Sequence, residues 1–257
     1  IWYWRVVLHM YQLMTAKIRL YIDTPLSVAQ SVPLTREQAH YLFGVMRLSV
    51  GAQVLLFDGM NGEFLADVVE AGKRGGTLLI AAQTRPLQMP PDLWLMFAPI
   101  KKARTDFIVE KAAEMGASRI VPVQTEFTNT SRFQRDRLQA HSVEAAEQCG
   151  GTYVPQVDEM KRLDRVLADW DETRQIMFCD ETTADDPATP FEGGKDQSVG
   201  PWAILIGPEG GFSQKERDRL RAMSCAHVAQ LGPRILRADT AAVAALTLWQ
   251  TALGDWV

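Results

Sequence analysis

Two stretches decide how this chain is read: AILIGPEGGFSQKE, residues 203–216, and QLGPRILRADTAAVAAL, residues 230–246. The first is a buried apolar strand that turns at Gly207, Pro208, Glu209, Gly210 and Gly211. A helix then opens at Ser213, where Glu216 three residues on completes a capping box. In the second, a strand ends at Leu231, Gly232 and Pro233 turn the chain, and Arg234 and Arg237 flank Ile235 and Leu236 before an alanine-rich helix. Glycine has no Cβ, so backbone groups beside it can approach a small molecule closely, and open α/β sheets bind ligands beyond the carboxyl ends of their strands. Two such strand ends in succession suggest one pocket. Each taken singly also reads as a tight turn whose glycines supply positive φ, and the alanines also read as good helix formers. Neither stretch is GxGxxG or GxxxxGK[ST], so nothing argues for a dinucleotide or a nucleoside triphosphate.

Working outward, strands and helices alternate. LWLMFAPI (93–100) leads to a helix from about Thr105 to Met115. RIVPVQ (119–124) leads to a helix from about Arg135 to Cys149, and a helix around Leu163 to Ala168 precedes QIMFCD (175–180). An acidic loop, 181–200, separates these from WAILIG (202–207), a helix from Ser213, HVAQLG (227–232) and a last helix from about Asp239 to Leu253. This rhythm predicts a mostly parallel sheet covered on both sides. Upstream, RPLQMPP (85–91) packs three prolines into seven residues and marks a domain boundary near residue 89. Before it lies a small β-rich module: the strand IRLYID, then a helix over LTREQAHYLFGVMRL with a Thr35–Gln38 capping box, Leu42, Val45 and Met46 on one face and an end near Leu48. The hairpin QVLLFDGMNGEFLADVV and the strand TLLIAAQT complete it.

Three dispersed cysteines and four dispersed histidines offer neither a disulfide framework nor metal-ligand spacing, so a cytosolic protein without a metal is expected. The opening IWYWRVVLHMYQL is apolar but falls well short of the roughly 20 residues a membrane span needs. It lacks a small-residue cleavage site, so no targeting or membrane partner is expected, and residues 1–13 are set aside as an extension. The formal charge of -4 is uneven: residues 138–200 hold 5 basic and 14 acidic side chains, whereas 1–90 and 91–137 each hold 8 basic and 6 acidic. The rest of the chain is weakly positive, which permits a nucleic-acid partner away from the acidic stretch and is equally compatible with a mixed, solvated surface.

IGPEGGF and LGPRILRADTA together resemble the paired signatures of the RsmE family, SPOUT-class methyltransferases that form N3-methyluridine in 16S rRNA. IKKARTDFIVEKAAEMGASRIVP and EAAEQCG are similar to further segments of that family, and residues 18–83 resemble its PUA-like RNA-binding domain. Gly151 departs from an arginine common in the family after EQCG and removes one candidate RNA contact. Ala238 and Asp239 replace a commoner threonine and glutamate, although aspartate keeps the charge and the helix-start chemistry. The resemblance implies an α/β SPOUT domain over 90–257 with a C-terminal trefoil knot, preceded by a PUA-like β-barrel domain over 14–85. It further implies S-adenosylmethionine as cofactor, the small ribosomal subunit and its 16S rRNA as partner rather than DNA, and a homodimer.

By position in those motifs, Ile206, Gly207, Pro208, Glu209, Gly210, Gly211, Leu231, Gly232, Ile235 and Leu236 should line the cofactor pocket, with Glu181 a further candidate. Uracil N3 is a poor nucleophile until deprotonated, which gives Arg237 a role in stabilising charge on the uracil carbonyls and Glu209 a role as base or as a ligand of loop amides. Arg36, Arg47, Lys101, Lys102, Arg104 and Arg132 are candidate RNA contacts; each also reads as a solvated surface charge. Other SPOUT methylations, a non-catalytic RNA-binding factor and a nicotinamide-dependent oxidoreductase are the competing readings, the last without its glycine fingerprint.

Overall fold

The computed structural model describes residues 18–129, 133–180 and 200–256. Glu181, Arg132, the 1–13 extension and nearly all of the acidic loop therefore lie outside the described residues. The chain divides into two compact units, one of residues up to 89 together with 147–153, the other of 90–146 together with 154–257.

In the first unit, β1 (Arg19–Tyr21), β2 (Ser31–Pro33), β3 (Gln53–Phe57), β4 (Glu63–Ala71) and β5 (Gly76–Arg85) form one sheet in the order β1-β3-β4-β5-β2. β1 runs parallel to β3 and the other pairs are antiparallel. Three register shifts along β4 and β5 bend that hairpin. Alternate residues such as Val54 and Leu56, and Leu78 and Ile80, enter one core with Leu20, Leu42 and Ala66. Buried Glu63 pairs there with Arg19 at 2.8 Å and Arg85 at 2.7 Å.

The helix expected over 34–48 differs from its sequence pattern. The Thr35–Gln38 capping box is present, but only Arg36–Ala39 (α1) is α-helical, and His40–Val45 winds as a π-helix. The amide of Met46 donates to the carbonyl of Tyr41, five residues back. The wider turn rotates the later side chains off the inner face. Leu42 is buried, whereas Val45 and Met46, expected beside it, are 58% and 41% exposed. Arg47, at φ +56°, ends the element.

In the second unit, β6 (Leu93–Phe97), β7 (Arg119–Gln124), β8 (Gln156–Val157), β10 (Gln175–Cys179), β11 (Trp202–Ile206) and β12 (Ala226–Ala229) are ordered β12-β10-β11-β6-β7-β8, and β9 (Lys161–Arg162) also pairs with β7. Every pairing is parallel. One face buries Leu93, Leu95, Phe97, Met177 and Ile204 under α2 (Lys102–Glu114), α3 (Arg135–Cys149) and α6 (Ala238–Leu253). The other buries Met96, Val121, Phe178 and Leu205 under α4 (Leu163–Ala168) and α5 (Gln214–Arg221). This is the parallel sheet covered on both sides that the alternation of elements predicts. α2 begins three residues before the expected Thr105, because Lys101 caps it without a side-chain hydrogen bond and so leaves no sequence signal. α6 begins at Ala238 with Arg237, not Asp239, at the cap position; Asp239 lies in the first turn, where its charge suits the helix dipole.

Candidate active site

The chain passes from β11 through α5 to β12, and these two strands flank β10. The loops that follow them therefore stand on either side of the carboxyl end of β10. Between them lies a pocket lined by Cys179 at the end of β10 and Asp180 just after it, by 206–209, 211 and 212 at and after the end of β11, and by 229–232 and 234–237 at and after the end of β12, with Ala238 and Ala241 of α6. Of the residues read as cofactor-binding, Ile206, Gly207, Pro208, Glu209, Gly211, Leu231, Gly232, Ile235 and Leu236 all line it, together with Arg237. Gly210 does not; it packs instead toward Phe127, whose Cβ would lie 3.3 Å from a Cβ added at 210.

The glycines serve different purposes. Gly211 and Gly232 have φ of +69° and +107°, a region that side chains disfavour. Gly207 is needed for space: an added Cβ would sit 2.7 Å from the ring of Phe212, which is itself buried and stacked edge-on against Phe178 with ring centres 5.0 Å apart. Ser213 and Glu216 form the expected capping box that ends the loop and starts α5.

Glu209 and Arg237 are polar side chains at the pocket's edge, and Arg104 reaches toward the first of them from another element. Arg104 of α2 places Nη1 3.4 Å from Glu209 Oε1 and Nε 3.8 Å from Asp239 Oδ2. Arg237 is exposed, and its side chain bonds to no other described residue. On the floor, Asp180 is fully buried and accepts from Arg217 Nε at 3.2 Å and Arg221 Nη2 at 3.0 Å, both on α5. Burial pushes the neighbouring Cys179 thiol up to about 12.

Asp180, Cys179, Phe212, Ala229 and Gln230 are lining residues that the motifs did not single out. The strand end QIMFCD is the signal that could have found the first two, since its register places its last residues level with Ile206. Lys101 is exposed at the cap and Lys102 at the start of α2; in the first unit Arg36 is exposed on α1 and Arg47 just beyond the π-helical turn. Among the described residues, no group of three His, Cys, Asp or Glu side chains is placed to hold a metal ion, and no helix is long and apolar enough to cross a membrane.

A doubly covered parallel sheet with a glycine-walled pocket at three strand ends is the ligand-binding end of an α/β enzyme domain. Residues 88–250 match the family model of the RNA methyltransferase domain, and residues 34–80 that of the RNA methyltransferase PUA domain; the chain belongs to this RNA methyltransferase family. The resemblance to RsmE proteins is borne out by its relatives. It is 27% identical to the ribosomal RNA small subunit methyltransferase E of Rickettsia conorii, over 89% of this chain and 93% of that protein. Against the protein of the same name from Bacillus subtilis it is 26% identical, over 85% and 89%. The crystal structure of the Neisseria gonorrhoeae ribosomal RNA small subunit methyltransferase E bound to S-adenosyl methionine superposes with a TM-score of 0.84 at 26% identity, over 93% of this chain and 99% of that one. A Legionella pneumophila protein in complex with the same cofactor gives 0.82 at 28% identity, over 93% and 98%.

Proposed function

We propose that this protein transfers the methyl group of S-adenosylmethionine to N3 of a uridine in 16S rRNA. The observation that carries this reading is the convergence of both glycine loops on one pocket, in a chain whose similar solved structures hold that cofactor. The pocket fits such a ligand. Ile206, Phe212, Ala229, Leu231 and Leu236 supply an apolar lining for an adenine ring, while the Gly207–Gly211 and Leu231–Leu236 backbones offer amides and carbonyls for its polar edge. The bound cofactor supplies an electrophilic methyl group.

The chain's own residues align and activate the acceptor. Arg237, at the rim, stabilises negative charge on the uracil carbonyls, and Glu209 stands as the base for the N3 proton or as a ligand of the loop amides. Arg36, Arg47, Lys101, Lys102 and Arg132 contact RNA phosphates, and Arg104 belongs to this set through its position beside Lys101 and Lys102. Glu181, next in sequence to Asp180 and outside the described residues, is a further candidate for contact with the cofactor in this reading.

In the same reading, residues 14–85 are a PUA-like barrel, which the bulged five-stranded sheet supports, and 90–257 are a SPOUT domain with a trefoil knot. What supports the knot is the resemblance of IGPEGGF and LGPRILRADTA to the RsmE family signatures. A homodimer would cover Ile235, which is 73% exposed at the pocket rim. The enzyme works in the cytoplasm, where ribosomal subunits are made. Labelled S-adenosylmethionine and small ribosomal subunits lacking the modification provide the test. N3-methyluridine at one site, found by mass spectrometry of digested rRNA, is the expected product. A different methylated nucleoside would replace the substrate chemistry, and no label would leave an RNA-binding protein without this activity.

A further inference from the structure

Phe127 is an exposed aromatic side chain, 47% accessible, on a turn directly after β7. Single exposed apolar residues are common and need no explanation. This one is held unusually firmly. The amide of Thr128 donates to Thr125 O at 3.2 Å, and the amide of Thr125 donates to Thr128 Oγ1 at 2.8 Å. The two threonine hydroxyls lie 2.9 Å apart. The amide of Glu126 donates to Glu216 Oε1 at 2.9 Å, while the other oxygen of Glu216 caps Ser213. The turn is thus tied to the end of the glycine loop, and the ring stands in solvent on a fixed base.

Its place is equally specific. Gly210 is the residue of 206–212 that leaves the pocket lining, and an added Cβ there would meet Phe127 Cβ at 3.3 Å and Cγ at 3.7 Å. The loop is therefore one residue thick, with the pocket on one side and Phe127 on the other. Glu126 also lines a neighbouring groove with Gln124, Ser213 and Lys215. Lys215 is exposed and unpaired among the described residues, while Arg219 in the same groove donates to the carbonyl of Asp164.

We propose that Phe127 is a stacking platform for a base of the substrate RNA that flanks the methylated nucleotide, with Lys215, in the groove that Glu126 of the same turn lines, for the backbone. This rests on the reading of the protein as an rRNA methyltransferase. Extruding a nucleotide to expose N3 leaves its neighbours without a stacking partner, and an aromatic face replaces that partner whatever the base. Because the turn is already ordered, binding loses little conformational entropy. Phe127 is a positioning residue, since the loop separates it from the methyl group.

The test compares wild type with Phe127→Leu and Phe127→Trp, measuring kcat, KM for small subunits, affinity for the same RNA and affinity for S-adenosylmethionine. Leucine keeps apolar packing on Gly210 but offers no π face. Phe127→Leu is expected to raise KM and weaken RNA binding roughly tenfold, with kcat and cofactor affinity within about twofold, and Phe127→Trp is expected to restore both. Unchanged RNA affinity in Phe127→Leu overturns the stacking role, and so does a loss of cofactor affinity as large as the loss of RNA affinity, which would make Phe127 a buttress of the loop. A wild-type protein that transfers no methyl to rRNA would instead defeat the methyltransferase reading, and the RNA affinities would still decide the role of Phe127.

Discussion

Arg104 Nη1 lies 3.4 Å from Glu209 Oε1, so a helix on one face of the sheet reaches the glycine loop that walls the pocket. The same guanidinium approaches Asp239 in the first turn of α6 at 3.8 Å. Both contacts are partly exposed, and such pairs contribute under about 1 kcal/mol to stability. Their consequence is geometric: they set the spacing between Glu209 and the α6 start that carries Arg237. Arg104→Ala is expected to leave the thermal midpoint within a few degrees of wild type and to lower kcat roughly tenfold, as small misplacements at a reacting centre do. Arg104→Lys should recover part of the loss. Unchanged kcat in Arg104→Ala, at saturating RNA and cofactor, would remove this positioning role.

Gly207→Ala should damage the pocket while sparing the rest of the sheet. The new Cβ would lie 2.7 Å from Phe212 Cε2, so that ring, packed edge-on against Phe178, would have to shift toward the pocket it lines. Overpacking of this kind costs about 1–3 kcal/mol. Titration calorimetry should show affinity for S-adenosylmethionine lowered at least about tenfold, with circular dichroism unchanged.

Much of the α/β unit was legible because its signals are local. The apolar run WAILI is buried on both sides, Ser213 and Glu216 cap a helix, and glycines 116 and 150 follow helices with φ near +80°. What stayed hidden depends on contacts between distant residues. The π-helical turn at His40–Val45 has the apolar spacing of an ordinary helix, so Val45 and Met46 read as inner-face residues. The pairs of two-residue strands β8 and β9 carry too little pattern to register. In the site, the two glycine loops announced a pocket, but Asp180 came into view only once β10 was seen between β11 and β12. The meeting of Arg104 with Glu209 spans 105 residues and has no sequence signature.

Acid should weaken the first unit through Glu63. Burial alone would raise its pKa, but hydrogen bonds from Arg85, Arg19 and Thr84 outweigh it and hold the carboxyl below its usual 4.5. A carboxylate depressed in the folded state contributes stability above its unfolded pKa and loses it as pH falls through the folded value. Stability should thus be steady above about pH 5 and decline below 4.5. Glu63→Gln should cost roughly 3 kcal/mol at neutral pH, by leaving two arginines without their carboxylate, and should flatten the decline in acid. Urea melts from pH 3 to 7 provide the comparison.

Thiol labelling should distinguish the cysteine in the pocket from the one on the surface. Cys179 lines the pocket, but burial raises its pKa to about 12. At pH 8 its thiolate fraction is then roughly one in ten thousand. Iodoacetamide should modify exposed Cys149 first and leave Cys179 unlabelled in the folded protein, as read by peptide mass spectrometry. Early labelling of Cys179, which is half-buried at the pocket, would mean that its thiol is not held protonated there.

Glu216 joins two functions in one carboxylate. Its Oε2 accepts from the amide and hydroxyl of Ser213 at 2.9 and 3.1 Å, which caps α5 at the end of the glycine loop. Its Oε1 accepts from the amide of Glu126 at 2.9 Å, which fixes the turn carrying Phe127. Ser213→Ala removes only the hydroxyl half of the cap and should cost about 1 kcal/mol. Glu216→Ala removes both attachments, so its loss of stability should be larger, about 2 kcal/mol. It should also release the 125–128 turn, seen as faster amide hydrogen exchange at Glu126 than in Ser213→Ala. Equal exchange at Glu126 in the two variants would show that the paired threonines alone hold the turn, because their mutual hydrogen bonds are untouched by either substitution.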